Sequence, residues 1–171
     1  MKPLLIAISL LLITLTNKAE VVSATDNYFH IKITAEVKAT PSEAYAQYLK
    51  VGEWWSSDHT WFGDAKNMRI EAKAGGCFCE TSEQGNVMHM QVSAVFPNSE
   101  VRMLGGLGPL QMMGLSGAMS WKFVAKDEQT TEIIHEYRVN GGGQTELPKF
   151  AEIVNKVQEL QVSLLAKKLS K

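Results

Sequence analysis

Apolar and polar residues alternate from residue 28 to 39. Phe29, Ile31, Ile33, Ala35 and Val37 fall on one face; His30, Lys32, Thr34, Glu36 and Lys38 fall on the other. A period of two predicts a strand with one buried face. The alternation stops at Thr40-Pro41-Ser42-Glu43, which reads as an N-cap, a proline in the first helical position and a capping-box glutamate. A short helix is expected there, with Ala44, Tyr45, Tyr48 and Leu49 turned inward. Past Gly52 a second short turn carries Trp54 and Trp55.

Residues 56–67 form a loop rich in aromatic and polar groups. Strands are predicted at 68–74, 77–81, 87–96 and 100–104, the second and third joined by a hairpin turn at Glu83-Gln84-Gly85-Asn86. Residues 107–117 do not alternate; Gly108, Pro109, Gly114 and Gly117 punctuate a methionine-rich stretch that reads as a mobile loop. Residues 118–125 and 131–139 give a last hairpin, and Gly141 to Gly143 a flexible break. From 147 to 169 the period becomes helical. Phe150, Ile153, Val154, Val157, Leu160, Leu164 and Leu165 mark the expected buried stripe of one helix about 30 Å long.

The first residues differ from the rest. Lys2 precedes an apolar run from Leu4 to Leu15, and Val22-Ser23-Ala24 offers small residues for cleavage. This predicts a signal peptide over residues 1–24, a mature domain over 25–171, and a secreted or periplasmic protein with no stable membrane anchor after cleavage. Spanning a bilayer takes roughly 20 apolar residues, and Asn17, Lys18 and Glu20 interrupt this run. The formal net charge of −1 and the lack of any basic cluster beyond Lys167-Lys168 argue against nucleic acid as a partner.

The order of elements is that of an α+β helix-grip fold: a curved antiparallel sheet, two short helices and a long C-terminal helix. Particular segments sharpen this. Thr40-Pro41-Ser42-Glu43-Ala44-Tyr45, Glu53-Trp54-Trp55, Gly75-Gly76-Cys77-Phe78-Cys79-Glu80, Leu107-Gly108-Pro109-Leu110-Gln111 and Gly117-Ala118-Met119-Ser120-Trp121 resemble the START-like (SRPBCC) superfamily. That group includes polyketide cyclases, Bet v 1-like carriers and the Hsp90-activator homology domain. The resemblance spans nearly all of residues 28 to 169 and implies a cavity between sheet and helix, where some members catalyse cyclisation and many only bind.

Candidate chemistry is sparse. Cys77 and Cys79 are the only cysteines, and on a regular strand their Cα atoms lie about 6.6 Å apart, at the far edge of disulfide geometry. Hairpin parity puts them with Met88, Met90, Val92 and Ala94 as buried thiols lining the cavity. Glu80 and His89 then fall on the reverse face, so no metal site is expected, unless a bulge inverts the parity. His135 shares a face with Ile133, Tyr137 and Val139, as a hydrogen-bonded core residue or a proton-transfer group at the cavity wall. His59, beside Asp58, is the second weak catalytic candidate.

Aromatic residues and methionines are the most informative feature, since flexible thioethers adapt to varied apolar shapes. The expected ligand-contacting set is Trp55, Trp61, Met90, Met103, Met112, Met113, Trp121, His135, Tyr137 and Phe150. Residues 107–117 would act as its gate. The leading expectation is a carrier of a small hydrophobic or lipid-like ligand, with no cofactor. A cyclase- or dehydratase-type enzyme using the same cavity is the alternative, and a protein-interaction module comes third.

Overall fold

The alternating segment folds as its pattern predicts, with Phe29, Ile31, Ile33, Ala35 and Val37 all buried. The computed structural model describes residues 17–141 and 146–170. In chain order these form β1 (Asn17–Thr25), β2 (Tyr28–Val37), α1 (Pro41–Leu49) and three 3₁₀ turns (Val51–Glu53, Ser57–His59, Ala65–Asn67). Then come β3 (Met68–Ile70), β4 (Cys77–Ser82), β5 (Gly85–Phe96), β6 (Glu100–Leu104) and a further 3₁₀ turn (Gly108–Leu110). β7 (Ser116–Ala125), β8 (Thr131–Asn140) and α2 (Leu147–Leu169) complete the chain.

All eight strands join one antiparallel sheet in the order β1-β2-β8-β7-β6-β5-β4-β3. With α2 laid across its inner face, mainly over β1 and β2, this is an α+β helix-grip fold. The capping box at α1 is complete: Glu43 N–H donates to Thr40 Oγ1 at 3.3 Å, and Thr40 N–H donates to the Glu43 carboxylate at 2.8 Å. Tyr48 on α1, Trp54 beyond it and Trp121 on β7 then make an aromatic core, with ring centroids 5.1 to 6.0 Å apart.

Three expectations change, and one further observation bears on the N-terminus. The apolar run of the expected leader and Gly142–Gly143 lie outside the described residues, but residues 17–25 form β1, so the expected boundary after Ala24 falls inside a strand. The long strand expected at 68–74 shortens to Met68–Ile70. The segment 107–117 is fastened rather than free. Leu110 and Leu115 are buried beneath it, Leu107 N–H donates to the Tyr137 hydroxyl, and that hydroxyl donates to Gly105 C=O, each at 3.0 Å.

The third change concerns parity. A bulge lies between Phe78 and Cys79, where Phe78 pairs with Met90 but Cys79 pairs with Met88. Phase therefore reverses along the hairpin. Glu80 and His89 turn inward and are buried, while Cys77 and Cys79 sit opposite Gln91 and the exposed Met88 on the outer face. The cysteines do not line the cavity. The kink also brings their Cα atoms to 5.4 Å, and the two are joined as a disulfide, which a regular strand disfavours.

Candidate ligand-binding site

A cavity of about 420 Å³ lies under the 3₁₀ turn Gly108–Leu110, between the N-terminal half of α2 and the loop after α1. Each wall is fixed by identifiable contacts. Trp55 Nε1–H donates to His59 C=O at 2.9 Å, closing the 55–59 turn. Trp61 and Phe62 N–H groups both donate to the Glu80 carboxylate at 2.8 Å, tying that loop to β4. Ser56 N–H donates to Gln161 Oε1 at 2.9 Å, tying it also to α2. From above, Gln111 Nε2–H donates to Met88 C=O at 2.8 Å and to His89 C=O at 3.1 Å, which seats the loop on β5.

Trp55, Trp61, Leu110, Phe150, Val154 and Val157 supply most of the lining, and polar groups enter only at His59, Thr60, His89 and Gln158. Among the described residues no lysine, arginine or carboxylate side chain lines it. An apolar concavity with a few convergent polar groups is the usual form of a small-molecule site.

Of the ligand set read from sequence, Trp55, Trp61 and Phe150 meet at this cavity, as does His59. Met90, Met103, Trp121, His135 and Tyr137 do not; they are packed inside the core. Met112 is 88% exposed on the outside of the loop, and Met113 packs against the core. The methionines therefore do not form the lip. Tyr137 acts from beneath instead, as the anchor of the loop.

The helix is also turned differently from its apolar stripe. Ile153 is 56% exposed and Leu160 is exposed, whereas Asn155, Gln158 and Gln161 are buried against the sheet. Residues three apart on a helix share a face, so these amides form one polar row pointing inward. The Gln158 amide lies beside the His135 imidazole but makes no well-formed hydrogen bond among the described residues. Nor does either ring nitrogen of His135, whose imidazole burial lowers to a pKa of about 4. Contacts with the Ser120 backbone, Gln158 and Glu136 offset only part of that shift.

Sequence reasoning missed His89, because the bulge that turns it inward leaves no signal in the alternation. His89 lies 3.3 Å from the buried Glu80 carboxylate. Burial pushes its pKa down, and Glu80 offsets part of the effect. Among the described residues no serine, threonine or cysteine side chain is hydrogen-bonded to the side chain of His59 or Asp58. Among the described residues no cluster of histidine, cysteine and carboxylate groups is arranged for a metal.

Solved structures share the architecture. EF2215 from Enterococcus faecalis, a conserved protein of unknown function, superposes with a TM-score of 0.57 at 9% identity, over 91% of this chain and 77% of that one. CalU16 from Micromonospora echinospora gives 0.52 at 8% identity, covering 90% and 88%. DynU16, from the dynemicin biosynthetic locus, gives 0.51 at 16% identity, covering 86% of this chain and 50% of its own. Such identities show a common fold and nothing finer. No protein-family model matches the chain, and no curated protein does.

Proposed function

We propose that the protein binds a small, predominantly apolar molecule in the cavity beneath Gly108–Leu110. The observation that carries this reading is the cavity itself: about 420 Å³ of space, walled by indole, phenyl and aliphatic groups, with no lysine, arginine or carboxylate side chain in its lining among the described residues. The space is a partly open cleft, and its size falls in the range of about 300–1,000 Å³ usual for small-molecule sites. The like fold of CalU16 and DynU16, the latter from a biosynthetic locus, is consistent with a small organic ligand. Export to the periplasm or beyond belongs to the same proposal and rests on the N-terminal sequence pattern alone.

The test uses N-phenyl-1-naphthylamine, a neutral apolar fluorophore. Saturable binding with energy transfer from Trp55 and Trp61 is expected. Val157→Trp, which fills the space from α2, should weaken binding roughly tenfold or more. Absence of saturable binding by the native protein overturns the reading, as does undiminished binding by a folded Val157→Trp protein.

A further inference from the structure

The outer face of the β4–β5 hairpin carries chemistry that the cavity does not use. Cys77 and Cys79 are bonded across a single residue, with Cα atoms 5.4 Å apart, beside the bulge at Phe78/Cys79. Phe78 between them is buried against Trp55, so both cysteines lie on the opposite, outer face. Two features separate this bond from one that only braces a fold. Its ring is very short, so closing it removes little freedom from the unfolded chain and adds little to stability. The bond can open while the sheet stays folded, because the backbone ladders of β4 and the anchoring of Glu80 by Trp61 and Phe62 do not pass through sulfur. It is also within reach. Cys77 is only partly buried, and it follows the exposed residues Lys73, Ala74 and Gly75, with Gly76 adding no side chain. Exposed, weakly held disulfides are the ones that exchange with other thiols.

Flanking charges make the two sulfurs unequal. On β3, Arg69 stands opposite Cys79. Two residues on, Glu71 stands opposite Cys77, to whose C=O its N–H donates at 2.9 Å. The Arg69 side chain donates to the Glu71 carboxylate at 3.4 Å and to the Thr81 hydroxyl. Its guanidinium is thus held between the two outer-face residues that flank the row of Cys79. A cation there stabilises a thiolate departing from Cys79, whereas Glu71 opposes one at Cys77. Of two sulfurs in a disulfide, the better-stabilised thiolate is the better leaving group.

We propose that Cys77–Cys79 is a thiol–disulfide exchange site that accepts an electron pair from a dithiol partner. A thiolate of the partner attacks Cys77 Sγ, the S–S bond breaks, and its electron pair leaves on Cys79 Sγ beside Arg69. The partner's second thiolate then attacks its own sulfur in the mixed disulfide and releases Cys77 as a thiolate. The partner ends as a disulfide, oxidised by two electrons. The protein ends as a dithiol, holding the two protons that the partner's thiols gave up. This activity is separate from the cavity and stands or falls without it.

The experiment exposes the folded full chain, without denaturant, to dithiothreitol and to glutathione buffers, then traps thiols by acid quench and alkylation and counts them by mass. In millimolar reduced glutathione at roughly a hundredfold excess over oxidised, about half of the pair or more should open, where a structural disulfide stays closed. The quenched glutathione adduct should map to Cys77. Arg69→Gln should slow reduction by dithiothreitol about threefold, and Glu71→Gln should speed it by a similar factor, both effects shrinking in about 1 M salt. The two side chains are 49% and 41% exposed, so either variant should fold. Each variant loses the same ion pair, so a merely structural role would move both rates in the same direction. A pair that opens only when the chain unfolds overturns the proposal. So do an adduct on Cys79 and any other order of the three rates.

Discussion

The imidazole of His135 stacks on the indole of Trp121, with ring centroids 4.1 Å apart and planes inclined by 31°. Both residues are sealed in the core, on adjacent strands and in register. A histidine in this position has been taken out of water without a firm hydrogen-bond partner, which penalises its charged form.

Stability should therefore fall as pH falls. The unfolded chain takes up a proton on His135 near the ordinary value of 6.5, while the folded protein resists until about 4. Between those values the unfolded state binds more protons, so its share of stability is present above 6.5 and lost toward 4. The full window is worth up to about 3 kcal/mol. His89, also depressed, adds in the same direction. His135→Phe keeps the stack on Trp121 and removes the titration. Urea midpoints at pH 7 and pH 4.5 should show a smaller acid loss in the variant; an equal loss in both would refute the assignment.

Two tryptophans that look alike in sequence should behave oppositely. Trp121 touches Tyr48, Trp54 and His135 and is buried, so Trp121→Ala should cost about 3–5 kcal/mol in chemical denaturation. Trp61 is 51% exposed at the cavity wall, and its structural contact is its backbone N–H to Glu80. Trp61→Ala should change stability by no more than about 0.5 kcal/mol while weakening N-phenyl-1-naphthylamine binding severalfold. If Trp61→Ala is the more destabilising of the two, the placement of core and cavity is wrong.

The Cys77–Cys79 bridge closes a very short ring on the outer face of the sheet. In the chain-entropy account so short a loop is worth about 1–2 kcal/mol. Reduction should lower the unfolding free energy by no more than that and leave fluorophore affinity unchanged. Loss of binding on reduction would mean that the cysteines communicate with the cavity after all.

What the sequence made legible was whatever rests on local chemistry. Thr40, Pro41 and Glu43 announce a helix start because the cap is built from three neighbouring side chains. The bounds of β6 and α2 follow from breaks in period, and both match the structure. What stayed hidden depends on distant geometry. A bulge beside Cys79 reverses inside and outside for Glu80 and His89, and no residue type at that point requires it. On α2, Ile153 and Val157 look like core because a cavity wall carries the same apolar signal as a packed interior. Gln158 and Gln161 look like surface because their burial is set by Ser56 and the cavity, not by helical neighbours.

The same limit governs the N-terminus. Small residues at Val22-Ser23-Ala24 suit a leader cut, yet β1 runs through them. Its Ala19, Val21 and Ala24 pack on the core, and Asn17 Nδ2–H donates to Ser163 Oγ on α2 at 2.6 Å. A chain beginning at Thr25 would leave β2 as a bare sheet edge and uncover one flank of α2. Unpaired edges of this kind invite association with other chains. Compared with a chain beginning at Asn17, the chain beginning at Thr25 should lose roughly 2–4 kcal/mol and aggregate more readily on heating. If the leader is removed in the cell, the intact mass of the exported form should then place its first residue at or before Asn17. A mature form beginning at Thr25, with the stability of the longer chain, would show that β1 is dispensable to the fold.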